Sequence, residues 1–147
     1  MLFRSFMGEL LTATHNFTTS TGDTFKAALY LTTATNNAST TAYSATGEVS
    51  GTGYTAGGVT VTNGTSPSST NTSSTAGVAY WTPSASLTYT SVTLSTAFDC
   101  VLIYNSSKSN KAVSVHTFGS QTVTAGTFTL TMPSNTTSTA LIRLATT

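Results

Sequence analysis

Short segments in which apolar residues alternate with threonine or another small residue recur along this chain, and a repeat of two marks a strand with one buried face. Phe25, Ala27, Leu29 and Leu31 share one face of a first candidate strand, Val59 and Val61 mark a second, and Val78 with Tyr80, against Ala79 with Trp81, a third. Further candidates cover 87–94, 98–104, 112–118, 122–132 and 139–145, which makes about eight. The run 98–104 (FDCVLIY) is apolar apart from Asp99, which predicts a central strand covered on both faces with Asp99 at its exposed entrance or bonded to a turn. Gly119 and the segment 105–110 separate the later strands at short spacings, as antiparallel hairpins do. The fold class that follows is all-β, an antiparallel β-sandwich of jelly-roll or immunoglobulin-like type, with a closed barrel as the other arrangement.

Only the amino terminus reads as helix. Phe3, Phe6, Met7 and Leu10 recur at spacings of three and four, so a short amphipathic helix is expected to lie on its own domain or to dock on a partner chain. This gives an arm at 1–22 followed by a sandwich domain at 23–147. The segment 63–76 (NGTSPSSTNTSSTA) is low in complexity and is expected to be a flexible surface loop.

The composition then narrows the function. Five Lys and Arg stand against four Asp and Glu in 147 residues, while 36 Thr and 21 Ser supply the polarity. Soluble domains usually carry about a quarter of their residues as charges. Phosphate recognition needs a basic face, so a nucleic-acid partner is not expected. No apolar run is long enough to cross a bilayer as a helix, and Gly8 and Glu9 interrupt the start before it resembles an export signal. Thirteen Phe and Tyr residues with one Trp are enough to fill a core, and the single Cys100 cannot form an intrachain disulfide.

Motifs of chemistry are sparse. Gly51-Thr-Gly53 invites a nucleotide reading, but no Lys-Ser/Thr follows and no helix opens after it. The glycines at 47, 51, 53, 57 and 58 instead permit positive φ and close backbone approach, so Gly51, Gly53, Gly57 and Gly58 are expected to shape an ordered loop anchored by Tyr54. His15 and His116 lie about a hundred positions apart, without the companions a metal site needs, and no nucleophile-elbow pattern surrounds a serine. Neither cofactor, metal nor catalytic residues are expected. Six Asn-X-Ser/Thr triplets, at Asn16, Asn37, Asn63, Asn71, Asn105 and Asn135, differ little from chance in so hydroxyl-rich a chain. Tyr43, Tyr54, Tyr80, Trp81, Tyr89 and Tyr104 would suit a sugar-stacking platform if they were exposed together.

Longer words in the sequence carry a resemblance. Glu9-Leu-Leu, His15-Asn-Phe-Thr-Thr, Thr24-Phe-Lys-Ala-Ala-Leu-Tyr30, the segment 40–58 (TTAYSATGEVSGTGYTAGG) and Leu102-Ile-Tyr-Asn-Ser-Ser together resemble a family of small β-rich structural proteins of tailed bacteriophages. The resemblance spans most of the chain. It implies a virion protein assembled in the host cytoplasm, a capsid decoration or cement protein that bridges major capsid protein subunits. A neck, tail or fibre component is the alternative within the virion, and a glycan-binding module the alternative outside that role. It also implies a homo-oligomer, with a trimer as the expectation for that type of protein, and no catalytic residues to assign. The docking element expected on this reading is the arm with Phe3, Phe6, Met7 and Leu10, followed by poorly protected strand edges.

Overall fold

The computed structural model describes residues 1–70 and 77–146. The part of the low-complexity stretch at 71–76 lies outside the described residues. Among the described residues the chain is mostly β, with two antiparallel sheets and one short helix. In chain order the elements are α1 (Arg4–Leu11), β1 (Phe25–Leu31), β2 (Val59–Thr60), β3 (Ser68–Ser69), β4 (Val78–Trp81), β5 (Leu87–Asn105), β6 (Lys111–Leu130) and β7 (Ile142–Ala145). The larger sheet has the order β2-β1-β5-β6 and the smaller β3-β4-β7.

Seven strands among the described residues replace the eight expected, for a physical reason. The candidates 87–94 and 98–104 are one strand, as are 112–118 and 122–132, and together they make a hairpin of two very long arms. Gly119 does not interrupt β6. Extra residues are absorbed as bulges, where the register between β5 and β6 shifts five times. A one-residue slip would send every later side chain to the wrong face. At Ser91, held at φ 52°, the extra residue keeps Leu87, Tyr89, Val92 and Leu94 all buried. Asp99 is not at a strand entrance but at another bulge, skipped where Tyr30 pairs with Cys100 and Leu31 with Phe98. Within 63–76, Ser68–Ser69 pairs with Tyr80 and Ala79 as an edge strand, so that part is ordered rather than loose.

The segment 105–110 does form the tight connection of the hairpin. Asn105 Oδ1 accepts from the Ser107 amide at 3.1 Å, and Ser109 and Asn110 adopt positive φ, a conformation that asparagine tolerates well.

A single apolar core joins both sheets to the arm. Phe25 of β1 stacks on Phe17 at 4.4 Å, and Phe17 meets Trp81 of β4 at 4.9 Å. Phe3 and Phe6 are fully buried in the same cluster, so the 1–22 segment is part of the core rather than an appendage. A helix of eight residues is marginal alone in water, and α1 has no side-chain N-cap. Burial of Phe6 against His15 at 5.0 Å and Phe17 at 6.0 Å holds it down.

Candidate assembly surface

Three features of the surface bear on function, and each follows from how the arm, the glycine-rich segment and the hairpin are held.

The arm adds backbone pairing to its buried rings. Leu2 bridges Ser114, the Phe3 amide donates to the Val113 carbonyl at 3.2 Å, and the Arg4 amide donates to that of Ala38 at 3.2 Å. Of the four residues expected to touch a partner, Phe3 and Phe6 are therefore consumed inside the chain. Met7 is 52% exposed, and Leu10 is partly buried. Leu11, which the spacing did not single out, is 91% exposed. Leu10 and Phe6 form one wall of an apolar groove whose other wall comes from the smaller sheet, with Tyr80, Trp81, Ile142 and Leu144. The groove holds about 120 Å³, too little for most small-molecule ligands, which occupy roughly 300–1,000 Å³. It is almost wholly apolar, and Leu144 at its rim is 41% exposed.

The glycine-rich segment lies against the hairpin as an ordered loop. Thr52 bridges Thr93 of β5. Gly53, at φ 77°, leaves no room for a side chain, since a Cβ there would stand 2.2 Å from the Ser91 carbonyl oxygen. Tyr54 reaches inward. Its hydroxyl accepts from the Leu29 amide at 3.1 Å and donates to Glu48 Oε1 at 2.7 Å. Glu48 is the hub of this region, because its carboxylate also accepts from the Tyr43 hydroxyl at 2.6 Å and the Gly57 amide at 2.7 Å. Burial, reinforced by the hydrogen bond to Glu48, pushes the Tyr54 and Tyr43 hydroxyls well above the usual phenol range. Tyr104 stacks on Tyr43 at 4.6 Å and donates to the Gly57 carbonyl.

A second polar cluster ties the arm to the hairpin turn. Asn105, fully buried, donates from Nδ2 to Asp23 Oδ2 at 2.7 Å and faces His15 Nδ1 at 3.0 Å. Because an amide nitrogen only donates, His15 Nδ1 must accept, which places the ring proton on Nε2, 2.8 Å from Glu9 Oε2. Lys111 donates to Glu9 Oε1 at 2.6 Å, and Lys108 lies 3.7 Å from Asp23. Burial raises the Glu9 and Asp23 carboxyl groups, but hydrogen bonds from Lys111 and His15 to Glu9, and from the Asn16 amide and Asn105 to Asp23, outweigh it and hold both below the ordinary range. Two of the four acids and two of the five Lys and Arg residues thus serve one internal latch. Neither Glu48 nor this latch was visible in the sequence. The only hint was that carboxylates in so uncharged a chain need donors, and Tyr43 and Tyr54 flank Glu48 closely.

The remaining candidates do not converge. His116 lies in β6 with Nε2 3.0 Å from Ser114 Oγ, and burial pulls its imidazole down to about 4. Cys100 is buried, and desolvation with the neighbouring Asp99 pushes its thiol up to about 11. The aromatic rings do not present a shared outward platform. Trp81, Tyr89 and Tyr104 are 2–3% exposed, and the Trp81 indole donates to Asn63 Oδ1 and the Thr65 carbonyl. Among the described residues, no three His, Cys, Asp or Glu side chains are placed to hold a metal ion, and no helix is long and apolar enough to cross a membrane.

The third feature is an open strand edge. Strand β6 ends the larger sheet. Its outer edge is covered at 111–115 by Ala42, Leu2 and the Met1–Phe3 backbone. From 116 to 130 the strand carries no Lys, Arg, Asp, Glu or Pro, the residues that usually blunt an edge.

No family model matches this chain, and no curated protein or solved structure matches it either.

Proposed function

We propose that this chain is a structural protein of a tailed-bacteriophage virion, a decoration or cement protein that stabilises the head by bridging major capsid protein subunits. The observation that carries the reading is the set of exposed apolar side chains, Met7 and Leu11 on α1 and Leu144 at the rim of the apolar groove, on a surface otherwise rich in hydroxyls. A surface with few long charged side chains loses less rotamer freedom and less charge solvation when a neighbour covers it. Single contacts of this kind are weak, each hydrogen bond adding about 0.5–1.5 kcal/mol net. Such a part gains hold through many symmetric repeats across a lattice. The family resemblance of the sequence supports the same reading.

The finer fold we propose is a β-sandwich. Sheets of four and three strands match the count of an immunoglobulin constant-type domain, whereas the order β2-β1-β5-β6 departs from its strand order. Buried aromatic rings give the glycan-binding alternative no support.

Quantitative mass spectrometry of purified particles tests the role. A copy number comparable to that of the major shell subunit is expected, with heads less heat-resistant when the protein is omitted. Six or twelve copies would move the protein to the neck or tail, and absence from particles would overturn the virion reading. Leu11→Asp, at a side chain that packs on almost nothing, should leave the fold intact and abolish binding to bare heads.

A further inference from the structure

We propose that the open edge of β6 is a self-association site at which a second copy of this chain adds its own β6 antiparallel to the first, joining two sheets across a two-fold axis at Phe128. Bulges at 118–120 and 124–125 break the regularity of β6 on either side of 121–123. The stretch 126–130 is different. Its last three residues pair in step with β5 through Leu87↔Leu130, Thr88↔Thr129 and Tyr89↔Phe128, the extra residue before Gly126 lies on the β5 side between Tyr89 and Val92, and among the described residues its outer backbone has no strand beside it. Unpaired backbone groups in register are what strand addition uses.

The occupant follows from charge and symmetry. In a two-fold pairing each residue meets the one equally far on the other side of the axis, so like charges flanking the axis would repel, and an edge adapted to a different partner gains from charges opposite to that partner's. Here there are none to gain or lose: no Lys, Arg, Asp or Glu occurs from 112 to 142. The triplet Thr127-Phe128-Thr129 also reads the same in both directions. With Phe128 on the axis, Thr127 of one copy faces Thr129 of the other on the exposed face, a favourable cross-strand pair. Phe128, already packed on Phe98 at 5.0 Å and Phe118 at 5.4 Å, would meet its own counterpart and extend the apolar layer. The other edges among the described residues fit less well, since β2 and β3 have two residues each and β7 carries Arg143.

Light scattering after size exclusion, on the full chain over a concentration series, reads the result. The expected mass is twice the 15.1 kDa of the chain. The double variant T127K/T129K places lysine against lysine twice and should raise the dissociation constant at least about tenfold. T127K/T129E places lysine against glutamate and should restore the dimer. Far-UV circular dichroism verifies that each variant is folded. Amide exchange of the wild type offers a readout free of mutation, and protection at 126–130 should rise with protein concentration. A monomer at every concentration, a trimer, or a dimer indifferent to the lysine pair would overturn the pairing. None of these outcomes would bear on the copy number that tests the shell role.

Discussion

The two long arms of the hairpin differ in what lies beside them. The outer edge of β5 is covered along much of its length, first by β1 from Phe98 to Asn105 and then by the glycine-rich segment at Thr93. Among the described residues, the outer edge of β6 is covered only at 111–115. On the β5 side the neighbours come so close that glycine is obligatory, whereas on the β6 side a methyl group added at Gly119 would meet nothing within 4 Å. The same residue type is a packing requirement on one edge and a matter of indifference on the other. Packing constraints are thus concentrated on the β5 side.

The sharpest way to break this contrast is where the glycine-rich segment packs on β1, the strand that covers β5. A Cβ at Gly58 would stand 1.7 Å from the Ala27 carbonyl oxygen, on a backbone at φ 73°. Strain of that conformation costs about 1–3 kcal/mol before the clash is counted. Gly58→Ala is therefore expected to lose at least about 3 kcal/mol in urea denaturation, or to leave too little folded protein to measure. A wild-type midpoint would show that the segment does not pack against β1.

Glu48 comes next, because it fastens that segment to β1. Glu48→Gln keeps the shape but presents an amide nitrogen to donors. At least one of the Tyr43, Tyr54 and Gly57 donors then loses its acceptor, and hydrogen bonds to a charged group contribute about 1.5–3 kcal/mol each. A loss of about 2 kcal/mol is expected at pH 7, with greater exchange of the Gly57 amide. No change would mean that the carboxylate is dispensable to the loop.

How far these features could be read from sequence depends on the range over which their causes act. The period of two, the helix at the amino terminus and the turn at 105–110 are local, and they stand in the structure. Fusion of four expected strands into two was hidden because a bulge such as that at Ser91 inserts a residue without any polar break. The Glu9–His15–Asn105–Asp23 latch was hidden because it joins positions up to 90 apart. The arm illustrates both cases. Its helical spacing was legible, but Phe3 and Phe6 face inward because Val113 and Ala38 take up the backbone beside them, and no local pattern reveals that.

His116 stands where coverage of β6 ends, and it gives a pH test of intermediate size. Burial favours the neutral ring, so the folded value of about 4 lies below the ordinary 6.5. The unfolded chain then binds more protons between those values, and stability falls as pH drops from about 6.5 toward 4. Glu9 and Asp23 act in the same direction at lower pH. Their folded values are depressed, so their contribution is present above the ordinary 4.5 and 3.8 and is lost as pH falls through the folded values. His116→Gln should flatten the profile between pH 6.5 and 4 by roughly 1–2 kcal/mol and leave the steeper acid limb in place. An unchanged slope in the upper window would indicate that His116 is solvated, and hence that the cover on β6 ends earlier than Val115.

The smallest effect is expected at Gly119, and it separates open from covered edge most directly. Its φ lies outside the left-handed region and an added methyl has free space around it, so alanine brings neither strain nor clash. Glycine has more backbone freedom to lose on folding, and replacing it at a compatible position stabilises by about 0.4–1 kcal/mol. Gly119→Ala should therefore raise the urea midpoint slightly, in the opposite direction to Gly58→Ala and by a fraction of its size. A loss of a kilocalorie or more would mean that another part of the chain covers the edge near residue 119 in solution. That result would end the contrast between the two edges near residue 119.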